Sequence, residues 1–250
     1  MRIAVILNQK AGGENARDRK TLERIFDAAP TPVEIIEAPG NEIRELARAA
    51  VARGCNVLVA GGGDGTVNAV ASAIVGTDAA LGVLPLGTLN HFSKDLGIPQ
   101  ELEAAAKIVL EGEISSVDVG EVNGRIFLNN SSIGVYAGLV RFREAGQNRG
   151  LGKWVAFTLA LVAVARRFHF LSVRLLVSGR ELRRATPFLF VGNNEYEANG
   201  ARLCLDRGLL FLVIACREGR MALVYAAVRE FFNRLRENRD FEILHPNEFR

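Results

Sequence analysis

The run Gly61-Gly62-Gly63-Asp64-Gly65-Thr66 puts four glycines around a carboxylate and a hydroxyl, directly after an apolar stretch. Phosphates are polyanions, and proteins hold them with exposed backbone N–H groups and helix N-termini. Both favour glycine, which lets the backbone approach closely and accepts positive φ. In such a loop Thr66 either caps the following helix or donates to a phosphate, and Asp64 holds Mg²⁺ directly or through water. The competing structural reading is a glycine-rich turn with Asp64 as a helix cap. The run is not a Walker A loop, because no Gly-Lys-Ser/Thr follows, and it lacks the third glycine of a dinucleotide fingerprint. Two other stretches share its chemistry: Gly87-Thr88-Leu89-Asn90, and Asn8-Gln9-Lys10-Ala11-Gly12-Gly13, where Lys10 supplies positive charge.

Each of these stretches follows a strand signal. Residues 2–7, 33–37, 56–60 and 81–84 read as strands, and residues 15–28, 41–53, 67–75, 90–96 and 101–111 as helices. In the second helix Ile43, Leu46, Ala47 and Ala50 fall on one face. Repeated strand–helix units predict an open α/β sheet, and ligands bind such sheets at the carboxyl ends of strands. Near residue 115 the rhythm changes. Residues 116–122, 125–130, 172–177, 188–192 and 209–215 read as strands, with an Asn-Gly turn at 123–124. Helical signals remain at 151–168 and 219–237. The expected organisation is an α/β nucleotide-binding domain over 1–117 and a mostly antiparallel, β-sandwich-like domain over 118–250.

Composition bounds the function. The chain has 250 residues, 49% hydrophobic and 24% charged, as in an ordinary globular protein. The apolar run at 154–165 falls short of the ~20 residues that cross a bilayer, and the apolar start meets Asn8 too soon for a signal peptide. Cys55, Cys204 and Cys216 form no CxxC pair, and His91, His169 and His245 lack ligand spacing. A cytoplasmic protein is expected. The net charge is +3, but arginines cluster at 141–149 and 217–236, suited either to anionic headgroups or to a solvated surface. The apolar 154–165 helix likewise reads as core or as the lining of an acyl-chain groove.

Three stretches together carry a resemblance. Gly62-Gly63-Asp64-Gly65-Thr66, then Pro85-Leu86-Gly87-Thr88-Leu89-Asn90-His91-Phe92 through Leu96-Gly97-Ile98-Pro99, and later Gly192-Asn193-Asn194 resemble the diacylglycerol kinase catalytic-domain family, which includes bacterial lipid kinases and the sphingosine kinases. Val117-Asp118-Val119-Gly120 and Phe127-Leu128-Asn129-Asn130 extend the match over essentially the whole chain. The resemblance implies a two-domain kinase that transfers the γ-phosphate of ATP, with Mg²⁺, to a hydroxyl of a diacylglycerol-like membrane lipid. It implies nucleotide contacts at Asn8, Lys10, Gly62, Gly63, Asp64, Gly65, Thr66, Asn68 and Thr88. Asp64 is the catalytic candidate, Asn90, Asn193 and Asn194 are candidates for the substrate side, and Asp64, Asp118 and Asp206 for Mg²⁺. The implied partners are a lipid at the membrane surface and no nucleic acid. Contact with the inner membrane face is transient, and homodimerisation is left open.

This sequence departs from the family pattern at four places. The Asp-Gly-Glu that carries the family's base is not found, which implies either a truncated chain or a missing base. His91 replaces a frequent aspartate, and Arg207 replaces the second aspartate of the Leu-Asp-Asp-Gly-Leu loop, here Leu205-Asp206-Arg207-Gly208-Leu209. Ala38, or its neighbour Pro39, stands where relatives present a threonine to ATP. Two alternatives therefore accompany the kinase reading: an NAD kinase-like enzyme, which shares the glycine run, and a nucleotide- or lipid-binding homologue without turnover.

Overall fold

The structure, a computed structural model, describes residues 2–11, 15–134, 171–177, 179–197, 202–215 and 241–250; for 15–18 it describes the backbone only. The helices expected at 151–168 and 219–237, the arginine clusters at 141–149 and 217–236, His169 and Cys216 lie outside the described residues. The chain divides into two compact units, Met1–Asn129 and Asn130–Arg250.

In the first unit, strands β1 (Ile3–Asn8), β2 (Val33–Ala38), β3 (Val57–Gly62) and β4 (Ala80–Pro85) form a parallel sheet in the order β2-β1-β3-β4. Helices α1 (Asn15–Asp27), α2 (Ile43–Ala52), α3 (Asp64–Ile74), α4 (His91–Asp95) and α5 (Leu102–Glu111) alternate with or follow these strands. Alternation along the strands separates two cores. Ile3, Val5, Val57 and Val59 pack with Leu22 and Phe26 of α1 and Ala105 and Ala106 of α5. Ala4, Ile6, Leu58 and Ala60 pack with Ile43 and Ala47 of α2 and Val67 and Val70 of α3. Both faces of β3 are therefore buried, which explains its unbroken apolar sequence. A fully buried side chain such as Leu58 contributes roughly 1.5–3 kcal/mol.

The strand order reverses between β1 and β3, because β2 lies on one side of β1 while β3 and β4 lie on the other. The loops after β1, β3 and β4 all leave the carboxyl ends of their strands around this reversal. A hairpin, β5 (Gly120–Val122) with β6 (Arg125–Phe127), completes the unit. It turns at Asn123 and Gly124, both at positive φ, as an Asn-Gly turn requires. The first unit thus runs on to Asn129 and includes this hairpin, whereas the change of rhythm in the sequence suggests a boundary at 117.

The second unit contains β7 (Asn130–Gly134), β8 (Leu171–Val177), β9 (Arg180–Thr186), β10 (Phe188–Asn193), β11 (Leu210–Ala215) and β12 (Phe241–Leu244). Four of them form an antiparallel sheet in the order β12-β11-β10-β7, and β8 pairs with β9 in a separate hairpin. The fold is thus mixed α/β, a parallel sheet with helices followed by antiparallel strands. The single strand expected over 125–130 is two, β6 and β7, in different sheets.

Candidate functional site

The glycine run is mostly regular structure. Gly61 and Gly62 end β3, Gly63 is the N-cap of α3, and the helix starts at Asp64, not at Val67 as expected. Gly63 has no side chain with which to cap. Its carbonyl accepts from the Thr66 and Val67 amides at 2.9 and 3.1 Å. The amides of Asp64 and Gly65 have no intrahelical acceptor, and they sit at the positive end of the helix dipole. Gly65 is exposed, and a Cβ there would meet nothing.

The loop after β4 comes to meet this turn. A Cβ on Gly87 would lie 2.3 Å from Gly63 Cα and 2.7 Å from Asn90 Oδ1, so the loops touch backbone to backbone. The Leu86 amide donates to the Gly62 carbonyl at 3.2 Å and extends the strand pairing into the contact. Across the reversal point, Asn8 Nδ2 donates to Thr66 Oγ1 at 2.9 Å. Asn8 also orders its own loop, with Oδ1 accepting from the Lys10 amide at 3.0 Å and its carbonyl accepting from the Ala11 amide at 2.9 Å. These loops enclose a groove of about 490 Å³ whose wall includes Lys10, Gly63, Gly65, Thr66, Gly87 and Thr88. Ammonium, hydroxyl and first-turn amide donors around one concavity have the chemistry to receive an anion.

Asp64 is a helix cap, as the competing reading of the glycine run has it, but not of the helix it opens. Its Oδ2 accepts from the His91 amide at 3.2 Å, and its Oδ1 accepts from the Phe92 amide at 3.0 Å and from Asn129 Nδ2 at 3.1 Å. It therefore caps α4, a helix 27 residues further on, rather than its own. The residue in the N-cap position of α4, Asn90, has left-handed φ of 51° and makes no side-chain cap bond. Phe92, 1% exposed, anchors this short helix in the core. Asn129, to which no role was assigned, joins the site by this route; its neighbourhood in Phe127-Leu128-Asn129-Asn130 was the available signal.

Asn90 and Asn68 also act inward. The Asn90 amide donates to the carbonyls of Pro85 and Gly87 at 3.0 and 2.9 Å and accepts from the Gly87 amide at 3.0 Å. Its role is to hold the 85–90 loop in shape. Asn90→Ala should lower unfolding free energy by about 2–3 kcal/mol, from lost hydrogen bonds and a left-handed backbone that alanine tolerates poorly; a urea melt measures it. Asn68 accepts from the Leu128 amide at 3.1 Å and donates to the Ile126 carbonyl at 3.2 Å, fastening β6 to α3. Neither residue lines the groove.

Asp118 is half-buried ahead of β5 and does not line the groove. In the second unit Asn193 and Asn194, expected on the substrate side, are 2% and 0% exposed. Asn194, at φ 65°, accepts from the Arg207 amide at 3.2 Å and donates its own amide to Leu209 at 2.9 Å. It shapes the loop that presents Asp206, which is exposed. Among the described residues no group of three His, Cys, Asp or Glu gathers to hold a metal. Near this loop Tyr196 sits between Phe190 and Phe211, and a Cβ on Gly192 would strike its ring at 2.5 Å.

Residues 2–122 match the diacylglycerol kinase catalytic domain. The chain is 34% identical over 237 residues to "Probable lipid kinase YegS-like" of Cronobacter sakazakii, covering 90% of this chain and 78% of that protein. It is 31% identical over 214 residues to the Pseudomonas aeruginosa protein of the same name, covering 83% and 70%. A diacylglycerol kinase of Mycobacterium tuberculosis is 31% identical over 203 residues, covering 77% and 65%. A crystal structure of a diacylglycerol kinase from Bacillus anthracis str. Sterne superposes with a TM-score of 0.74 over 98% of this chain and 83% of that one, at 24% identity, and so shares the fold. The chain belongs to the diacylglycerol kinase catalytic-domain family, alongside the YegS-like lipid kinases.

Proposed function

We propose that this protein transfers the γ-phosphoryl group of ATP to a hydroxyl of a diacylglycerol-like membrane lipid. The observation that carries the reading is the meeting of two glycine loops at Gly63 and Gly87, over the N-terminus of α3 and beside Lys10. A triphosphate placed there would receive the Gly65 amide, the Lys10 ammonium and the Thr88 hydroxyl, while Asn8 and Thr66 hold the walls. Gly62 contributes by omission, since its Cβ would lie 2.4 Å from Thr66 Oγ1. Asn68 supports the nucleotide side indirectly, through β6. Phosphoryl transfer asks for in-line alignment and charge neutralisation more than for covalent chemistry, and a rigid cradle of donors supplies both.

Mg²⁺ enters this reading with the nucleotide. A carboxylate that already accepts three N–H bonds has little to offer a cation, so Asp64 does not fit a direct metal ligand in this geometry. Its role is positioning: it fixes the 86–92 loop against α3. Mg²⁺ bound to phosphates characteristically keeps several waters and needs few protein ligands.

The test uses the purified chain with γ-labelled ATP, Mg²⁺ and mixed micelles of neutral detergent and diacylglycerol, with NAD in a parallel reaction. Label should enter the lipid. Label in NAD would replace this reading with a dinucleotide kinase, and ATP binding without transfer to any lipid would replace it with a binding protein. A companion variant separates fold from ligand. Gly65→Ala should leave thermal stability unchanged or raise it by up to about 1 kcal/mol, because alanine suits a helix better than glycine. Gly65 lines the groove, so a methyl that crowds bound phosphates there should lower ATP affinity about tenfold by calorimetric titration.

A further inference from the structure

The β8–β9 hairpin carries two arginines at facing positions of its outer face. Its inward positions include Leu175 and Val177, both buried, Leu182, and Arg184, whose guanidinium forms two bonds to Glu242 of β12 at 2.8 and 3.1 Å. The outward positions are Ser172, Arg174, Leu176, Glu181, Arg183 and Ala185. Arg174 stands directly opposite Arg183, and both reach the one carboxylate of Glu181, at 3.3 and 2.7 Å. Like charges in facing positions of an antiparallel pair destabilise it. Elsewhere Arg24, Arg48 and Arg53 pair with Glu103, Glu45 and Glu34 one to one. The side chains of the two hairpin arginines are 73% and 77% exposed, and on the same face Leu176 is 44% exposed. The outer edge of β8 is occupied, since the Leu176 amide donates to Arg250 at 2.7 Å. What the hairpin offers is therefore its face.

We propose that this face docks the protein on an anionic phospholipid surface, with Arg174 and Arg183 on headgroup phosphates and Leu176 entering the interface. The proposal rests on the lipid-kinase reading, which requires the protein to reach a bilayer. Charge complementarity favours it: an anionic surface relieves the repulsion of two facing guanidiniums that share one carboxylate, and each cation near such a surface contributes to binding. An exposed leucine among arginines suits an interface, and the outward positions include no aromatic ring on which a nucleic-acid base would stack.

The experiment measures co-sedimentation of the full chain, without nucleotide, with vesicles of phosphatidylcholine alone and of phosphatidylcholine mixed with phosphatidylglycerol. The parent should favour the anionic vesicles, and less so at high salt. The double variant Arg174→Gln/Arg183→Gln should lose about tenfold or more in partitioning, while Arg174→Lys/Arg183→Lys retains most of it. Lipid phosphorylation in neutral micelles should be unchanged in both. Equal binding of the glutamine variant, or a parent indifferent to phosphatidylglycerol, overturns the proposal; so does a preference for short single-stranded RNA over vesicles through the same arginines. If label enters lipid in micelles but vesicle binding ignores the arginines, docking fails and the kinase reading stands. If binding depends on them but no lipid takes label, the kinase reading fails alone.

Discussion

Replacing Asp64 with alanine is expected to reduce lipid phosphorylation by a hundredfold or more, roughly the penalty for misplacing a reacting group by about an ångström. The cause is structural. The substitution removes the acceptor that the His91 and Phe92 amides at the start of α4 share with Asn129 Nδ2, and losing hydrogen bonds to a charged acceptor costs roughly 1.5–3 kcal/mol each at most. Partial solvent access lets water offset some of that. Asp64→Asn should resemble alanine in its effect on the loop, because one face of its amide presents a second donor to an N–H donor. A melting curve and a transfer assay measure the two effects together. Nucleotide titrations with Mg²⁺ and with chelator then decide how Asp64 acts. A positioning role predicts that both affinities fall in parallel; a fall confined to the Mg²⁺ form would show instead that Asp64 is a metal ligand.

Gly87→Ala should be nearly as damaging, for a purely steric reason. Its Cβ would lie 2.3 Å from Gly63 Cα and 2.9 Å from Gly63 N, and both are backbone atoms that cannot rotate away. Relief requires the 85–90 loop to lift from the turn before α3, which breaks the Leu86–Gly62 bond and opens the groove. Overpacking of this kind costs about 1–3 kcal/mol in stability, and ATP affinity should drop by roughly two orders of magnitude. Calorimetric titration beside Gly65→Ala checks the cause. If Gly87→Ala binds ATP as the parent does, the apposed loops are not the phosphate cradle.

The parallel sheet was legible because burial on both faces writes a continuous apolar run into β1, β3 and β4, and because α2 keeps its apolar residues on one side. The antiparallel strands were less so. β9 reads Arg-Glu-Leu-Arg-Arg-Ala-Thr, and its inward positions include Arg184, which Glu242 satisfies far away in sequence. β7, Asn-Ser-Ser-Ile-Gly, has one large apolar residue, and that residue is half exposed. The site was legible as a set of loops but not in its internal wiring. Asp64, Asn68, Asn90 and Asn194 all meet main-chain groups, which every residue carries, so residue type leaves no trace of the partner. Their chemistry fits a ligand and a scaffold equally well, and geometry alone separates the two.

The start of α3 carries an unusual share of long-distance ties. Thr66 reaches back 58 residues to Asn8, Asn68 forward 60 to Leu128, and Asp64 forward 65 to Asn129. Contacts so remote in sequence are rewarded only after most of the chain entropy has been given up. The groove should accordingly form late in folding and be weakly structured in the transition state. Interactions absent from the transition state change the unfolding rate and leave the folding rate alone. A ligand gripping this groove should therefore act as a brake on unfolding, lengthening the lifetime of the folded unit without hastening its assembly.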